Sequence, residues 1–337
     1  MSELRRDALL RHWVIFCPER VRRPLEFHEE GIRMQEVNAF LPGHEQLTPP
    51  EVYAIGEAGR APNTPGWRVR VVPNRYPALR VEGQLEASAC GHNDCLTGIG
   101  AHEVVVETPD PNKELHDQSP QGVFEVLQAY RARMLDLTRD LRMRYIVAFK
   151  NVGPLAGASL KHPHSQIMGL PVVPPVFIHE LNNAREYYLR HERNYFDDLI
   201  RQELSMDIRI VIENRDFVVL CPYASRFSFE MWVVPRRQSS DFRTVQDYEL
   251  HTCADVLKQS LSRLQKILKR PSYNLVLYTA PLRAMPGQAE SLWESCYRWH
   301  FKIMPRLAGI AGLELGTGVF MNPIMPEEAA RHLRSMR

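Results

Sequence analysis

The strongest constraint on this chain is a layout of elements that occurs twice. V-R-V-V-P-N-R-Y-P-A-L (69–79) reads as a strand ending in a turn. H-E-V-V-V-E-T-P (102–109) reads as a β-branched strand closed by proline, and Y-I-V-A-F-K-N (145–151) as a third. Before the third strand, Val123, Val126, Leu127, Tyr130, Met134, Leu137 and Leu141 recur at helical spacing behind Ser119 as N-cap, which predicts a helix from Pro120 to about Leu141. The order returns as R-I-V-I-E-N-R-D-F-V-V-L (209–220), F-E-M-W-V-V-P (229–235), a helix from about Val245 to Leu268, and Y-N-L-V-L-Y-T (273–279). The spans Glu103 to Tyr145 and Glu230 to Tyr273 differ by one residue, so one supersecondary unit has been duplicated. Short links between strands favour antiparallel pairing. The expected class is α+β, antiparallel sheets with packed helices, divided into halves at 1–175 and 176–337.

A chain of 337 residues, 44% of them apolar, has material for two domains or one doubled domain. Its 42 basic and 40 acidic side chains nearly cancel, which argues against nucleic acid or an anionic membrane as the main partner. Any anion site must be local. No run approaches the roughly 20 apolar residues that span a bilayer, and the N-terminus has no apolar signal core, so a soluble, cytoplasmic protein is expected. Cys17, Cys90, Cys95, Cys221, Cys253 and Cys296 are scattered and expected to stay reduced. C-G-H-N-D-C, with His92 between Cys90 and Cys95, reads as a polar turn with two thiols, because tight zinc sites usually pair ligands more closely.

The chemistry concentrates in G-A-S-L-K-H-P-H-S-Q (157–166). In extended chain, residues i and i+2 share a side, so His162 and His164 can face one pocket while Pro163 stiffens the backbone between them. Gly153, Gly157, Ala158 and Ser159 upstream are small enough for backbone N–H groups to approach a phosphate. Ser165 and Gln166 add neutral donors. Imidazole suits phosphoryl or nucleotidyl transfer because its neutral form, abundant near pH 7, can attack phosphorus and leave again. The second copy has R-W-H (298–300) at the corresponding place, so one active and one supporting half are expected.

On these residues the chain resembles the galactose-1-phosphate uridylyltransferase family, a branch of the histidine-triad superfamily that includes ADP-sugar phosphorylase relatives. The resemblance runs through R-x-x-R-P (20–24), N-R-Y-P-A-L (74–79), H-E-V-V-V-E (102–107), F-K-N-x-G (149–153), G-A-S-x-x-H-P-H-S-Q (157–166) and G-T-G-x-x-x-N-P (316–323). It implies a duplicated histidine-triad-like fold in which His164 takes a nucleoside monophosphate from a nucleotide sugar and passes it to a hexose 1-phosphate. By the same resemblance, Ser159 and Gln166 hold the α-phosphate, and Asn74, Asn151 and Gly157 lie at the nucleotide. Arg20 and Arg23 face phosphate, Glu314, Thr317 and Asn322 meet sugar or phosphate, and the protein is a homodimer.

The resemblance also implies a structural zinc held by a C-x-x-C, a histidine before the long helix and the first histidine of H-P-H. His102 and His162 would supply the last two, but Asn38 and Leu41 replace the cysteines, so no essential cofactor is expected. A second metal site of some relatives is eroded too, with no cysteine pair in N-Y-F-D-D-L (194–199) and Arg298 where an H-x-H would begin. H-P-H leans towards uridylyl transfer, whereas G-T-G-x-x-x-N-P is shared with the phosphorylase relatives. Two further readings are a histidine-triad hydrolase, which usually carries histidine at the Gln166 position, and a non-catalytic nucleotide-binding protein.

Overall fold

The computed structural model describes residues 2–6, 13–17, 37–283 and 291–336. The first copy supplies β3 (Tyr53–Gly56), β4 (Trp67–Pro73), β7 (Ala101–Val106), α1 (Pro120–Leu137), β8 (Tyr145–Val152) and β9 (His164–Leu170). The second supplies β10 (Ile210–Glu213), β11 (Phe217–Leu220), β12 (Met231–Pro235), α4 (Asp247–Leu268), β13 (Tyr273–Tyr278) and β14 (His300–Pro305). They build one antiparallel sheet of ten strands in the order β10-β11-β12-β14-β13-β8-β9-β7-β4-β3, with the two copies joined where β13 pairs with β8. A small sheet, β2-β1-β6-β5, is made from β1 (Glu3–Arg6), β2 (Trp13–Phe16), β5 (Ala87–Cys90) and β6 (Asn93–Thr97).

Helices α1 and α4 cover one face of the large sheet. Val126, Tyr130 and Met134 of α1 and Leu250, Leu257 and Leu261 of α4 join Ala148, Ile167, Leu275 and Phe301 in a single apolar core. Ser119 caps α1 by accepting from Gly122 N–H at 3.1 Å, as the sequence predicts. The helix stops at Leu137, short of Leu141, because Asp140 folds the chain into a turn by accepting from Arg142 N–H, which leaves Leu141 exposed. The predicted strand 209–220 divides into β10 and β11: Asn214 Oδ1 accepts from Asp216 N–H and Phe217 N–H and closes a hairpin.

Duplication holds, but the register read from spacing is one residue out. Tyr145 lies on the face away from α1, against Phe177 and Tyr278, whereas Tyr273 lies in the helix-side core. One residue of slip changes the face of every side chain. The structural match comes from the pairing: Gln166 stands opposite Phe149, Lys302 stands opposite Val276, and Phe149 and Val276 stand opposite each other. His164 therefore corresponds to His300, and a pseudo-twofold axis passes between β8 and β13.

On the other face, α2 (Pro175–His191), α3 (Tyr195–Met206) and α5 (Ser291–Cys296) pack over the second copy. They leave the first copy's face to a cavity. α6 (Gly312–Thr317) and α7 (Pro326–Ser335) complete the chain. Among the described residues no helix is long and apolar enough to cross a membrane, and all six cysteines are free.

Candidate active site

Strands β4, β7, β8 and β9 form the floor of a cavity of about 600 Å³. Alternation along the strands brings Val72 and Asn74, His102 and Val104, Phe149 and Asn151, and His164, Gln166 and Met168 to its side. Phe40 and Thr48 come from the 37–49 segment, and Gly157 to Leu160 close another wall. Six of the predicted residues, His164, Gln166, Ser159, Asn74, Asn151 and Gly157, therefore meet in one place.

His164 is 8% exposed, and its Nδ1 lies 2.7 Å from the carbonyl oxygen of His162. That acceptor holds the proton on Nδ1 and leaves Nε2 as the lone-pair nitrogen. Burial pushes the imidazole down to about 4, against the hydrogen bond it donates to the His162 carbonyl, so it is neutral near pH 7. The second histidine does not share the cavity as the i, i+2 argument expects. β9 begins at His164, so His162 precedes the pleat, and its ring is held by Asn38 Nδ2 at 3.0 Å and by the Thr108 carbonyl at 2.8 Å.

Gln166 is oriented by His102, which the family resemblance offers as a zinc ligand and not for this role. Ala78 N–H donates to His102 Nδ1 at 3.0 Å, which puts the ring proton on Nε2, and that nitrogen lies 2.8 Å from Gln166 Oε1. With its oxygen so engaged, Gln166 offers its NH₂ to the cavity. Asn74 Nδ2, 3.2 Å from the same ring nitrogen, is itself a donor and cannot compete for the proton. The sequence signal for His102 was its place in H-E-V-V-V-E, on the strand that pairs with β9. Loss of this brace in His102→Ala is expected to slow transfer by about tenfold with little change in KM, because a donor aimed at the transition state loses its aim. Steady-state kinetics check it.

Arg75 is the one arginine or lysine among the described residues that lines the cavity. It follows Asn74 directly in N-R-Y-P, and the need for a cation beside a diphosphate could have found it. The backbone amides behave differently from expectation. Gly157 N–H donates to Pro154 O and Ala158 N–H to Gly153 O, so both are used inside the loop. Gly153 serves close packing instead: with φ of 79°, a Cβ there would lie 2.3 Å from Ser272 Oγ.

Glu314, Thr317 and Asn322 are not brought to the cavity. Glu314 accepts from Ala311 N–H as a helix cap, Thr317 donates to Leu313 O, and Asn322 bonds Ser225 O, Ser228 Oγ and Ile324 N–H. Glu314 and Thr317 close their own turn, and Asn322 ties its segment to the loop at Ser225 and Ser228. Arg20 and Arg23 lie outside the described residues.

The implied zinc set does not fit. Both ring nitrogens of His102 are engaged, by Ala78 and Gln166, and both of His162, by Asn38 and Thr108. Among the described residues no three His, Cys, Asp or Glu side chains gather as a metal group, and Cys90 and Cys95 lie on the β5–β6 hairpin. Hydrogen bonds do the work instead. Asn38 binds His162 through its amide, accepts from Phe40 N–H, and receives His44 Nδ1 on its carbonyl at 2.7 Å. Chelation is therefore expected to leave melting temperature and rate unchanged, while Asn38→Leu should cost about 2 kcal/mol by stranding a buried ring nitrogen. A large melting shift on chelation, with about one zinc per chain by elemental analysis, would contradict this.

In the second copy His300 repeats the local geometry, with Nδ1 3.0 Å from the Arg298 carbonyl, but it is fully buried and does not line this cavity. Its ring is stacked between Trp232 and Tyr278, and Nε2 lies 3.3 Å from Glu180 of α2, which also pairs with Lys302.

The sequence profile of the family described as galactose-1-phosphate uridyl transferase, N-terminal domain, matches residues 1–174. ADP-glucose phosphorylase of Arabidopsis thaliana is 33% identical over 99% of this chain and 93% of its own length. Galactose-1-phosphate uridylyltransferase of Thermotoga maritima is 27% identical over 99% and 98%. The crystal structure of an Arabidopsis thaliana ADP-glucose phosphorylase with bound ADP-glucose superposes with a TM-score of 0.77 at 31% identity, covering 100% of both chains. A uridylyltransferase structure gives 0.80 at 26%, covering 99% of this chain and 98% of that one. With its cavity, its neutral histidine and its duplicated sheet, the chain belongs to the galactose-1-phosphate uridylyltransferase family and is a nucleotidyltransferase.

Proposed function

We propose that His164 is the nucleophile in transfer of a nucleoside monophosphate from a nucleotide sugar to a hexose 1-phosphate. The observation that carries this reading is the fixed tautomer of His164 in the cavity wall, with Nε2 unprotonated beside Gln166. Nε2 forms a bond to the α-phosphorus as the bond to the β-phosphate oxygen breaks, and the electron pair leaves with hexose 1-phosphate. The acceptor's phosphate oxygen then reverses the step. The Gln166 amide and the Ser159 hydroxyl donate to the non-bridging oxygens, where charge builds in the transition state. Asn74, Asn151 and Gly157 line the nucleotide's place and Arg75 meets the diphosphate, a role that the family resemblance also implies for Arg20 and Arg23. No step needs a metal. Residues 1–175 form the nucleophile-bearing half and 176–337 the supporting half of a homodimer, for which exposed Leu315, Val319 and Met321 are apolar side chains that contact would cover.

Uridylyl transfer is the primary reading. Adenylyl transfer with phosphate as acceptor is the second, favoured by the 33% identity to the Arabidopsis thaliana phosphorylase. Incubation with UDP-glucose and ADP-glucose in turn, each labelled in the nucleotide, separates them. The preferred donor should leave an acid-labile label near one per chain, resolved by a sugar phosphate. Rapid release of label by water alone would favour the hydrolase reading, which the neutral amide of Gln166 opposes because it cannot act as general base.

A further inference from the structure

On the helix side of the sheet, directly behind the nucleophile, lies a charged cluster in the apolar core. Lys150 is 1% exposed, and its ammonium is 2.7 Å from Glu107 Oε2, 2.9 Å from Glu114 Oε2 and 3.3 Å from the carbonyl oxygen of His164. Ser165 is buried on the same side, next in the chain to His164. Burial works against the ammonium, but the two carboxylates outweigh it and hold Lys150 above its ordinary value, so it stays charged. Buried ion pairs of this kind add little net stability compared with apolar residues of similar size.

The other copy shows that the fold does without the cluster. With His164 matched to His300 and Phe149 to Val276, Lys150 corresponds to Leu277 and Ser165 to Phe301. Ser165 pairs with Val105 and Phe301 with Val233, so Glu107 corresponds to Pro235. The same sheet and helix thus pack leucine, phenylalanine and proline behind the fully buried His300, and lysine, serine and glutamate behind His164 in the cavity wall. Polarity follows the chemistry, not the architecture.

We propose that Lys150, braced by Glu107 and Glu114, is a positioning residue for nucleotidyl transfer: its ammonium grips the His164 carbonyl from behind the sheet and fixes how far the imidazole reaches into the cavity. This rests on the transfer reading above. The histidine is then held at two points, at Nδ1 by the His162 carbonyl and at its own peptide by Lys150. Attack needs Nε2 in line and roughly 3–3.5 Å from phosphorus, and a misplacement of about 1 Å costs on the order of 100-fold. Lys150 gives up no proton and touches no substrate.

The test makes the core behind His164 apolar, as it is behind His300, in the full-length double variant Lys150→Leu/Glu107→Leu. It should fold with near-normal melting temperature and still label close to once per chain at saturating nucleotide sugar. The rate of label formation should fall by about 100-fold with KM unchanged. A merely structural role would lower the labelled fraction and leave the rate of the remainder intact, and a rate within threefold of wild type would equally overturn the proposal. Should the double variant not fold, Lys150→Met and Lys150→Arg are read in the same way: loss in the first with partial recovery in the second supports the grip, and equal rates overturn it. If wild type takes no label from either nucleotide sugar, the transfer reading has failed. The grip is then judged by the imidazole ¹⁵N shifts of His164 in the free protein, which should move in Lys150→Met; unmoved shifts reject it.

Discussion

His164→Ala is expected to abolish covalent labelling and to lower transfer at least about 10⁴-fold, because removing a nucleophile removes the route and not one contact among several. The fold should survive. The imidazole is engaged at Nδ1 by a carbonyl two residues away and contacts Phe40 at 5.7 Å between ring centres, so its loss leaves a small gap at a cavity wall. Melting temperature and circular dichroism should stay close to wild type, and His300→Ala should still take the label. Undiminished labelling of His164→Ala would show that the nucleophile lies elsewhere, and labelling lost with His300 alone would move it to the second half.

Acid is expected to destabilise the protein strongly between about pH 6.5 and pH 4. Burial pushes both His164 and His300 down to about 4 and lowers His162 as well, whereas an unfolded histidine titrates near 6.5. Above pH 6.5 neither state binds these protons, so this part of the stability is constant. Below it the unfolded chain takes them up first, and stability falls by about 1.4 kcal/mol per pH unit for each histidine until the folded groups titrate too. For His164 and His300 together the loss over the window is on the order of 5 kcal/mol. Glu107, raised by burial, offsets a part as it takes up its own proton in the folded state. Urea melts at pH 7, 6, 5 and 4 measure the slope, and His300→Gln should reduce it by about one histidine's share. The same depression means that His164 remains unprotonated at pH 5 to 6, so labelling measured before unfolding should have its acid limb near 4. A limb at 6.5 would mean an exposed, ordinary imidazole.

Much of this was written in local patterns. Alternating β-branched runs and the spacing of Val123, Val126, Tyr130 and Met134 locate strands and helix, because side-chain periodicity follows directly from backbone geometry. The H-P-H-S-Q run carries its own chemistry, and the strand ends at Asn74 and Asn151 deliver donors to the same cavity. The replacement of two cysteines by Asn38 and Leu41 is legible in the sequence, but not that Asn38 binds His162 by a hydrogen bond.

What only the tertiary structure decided was which side of each strand meets which neighbour. Equal spacing suggested the duplication, yet a slip of one residue puts Tyr145 and Tyr273 on opposite faces, and interstrand pairing alone fixes that register. The resemblance offered His102 as a zinc ligand, and Lys150 entered only as a letter of the F-K-N-x-G motif. Pairing of β7 and β8 with β9 places one beside Gln166 in the cavity and the other under the His164 carbonyl. Glu314, Thr317 and Asn322 show the converse, since the first two are used by the turn they close and Asn322 by the loop at Ser225 and Ser228. Periodicity and residue chemistry act within a few positions of chain and are legible there; contacts between residues far apart in sequence depend on strand order and register, which the packed sheet sets.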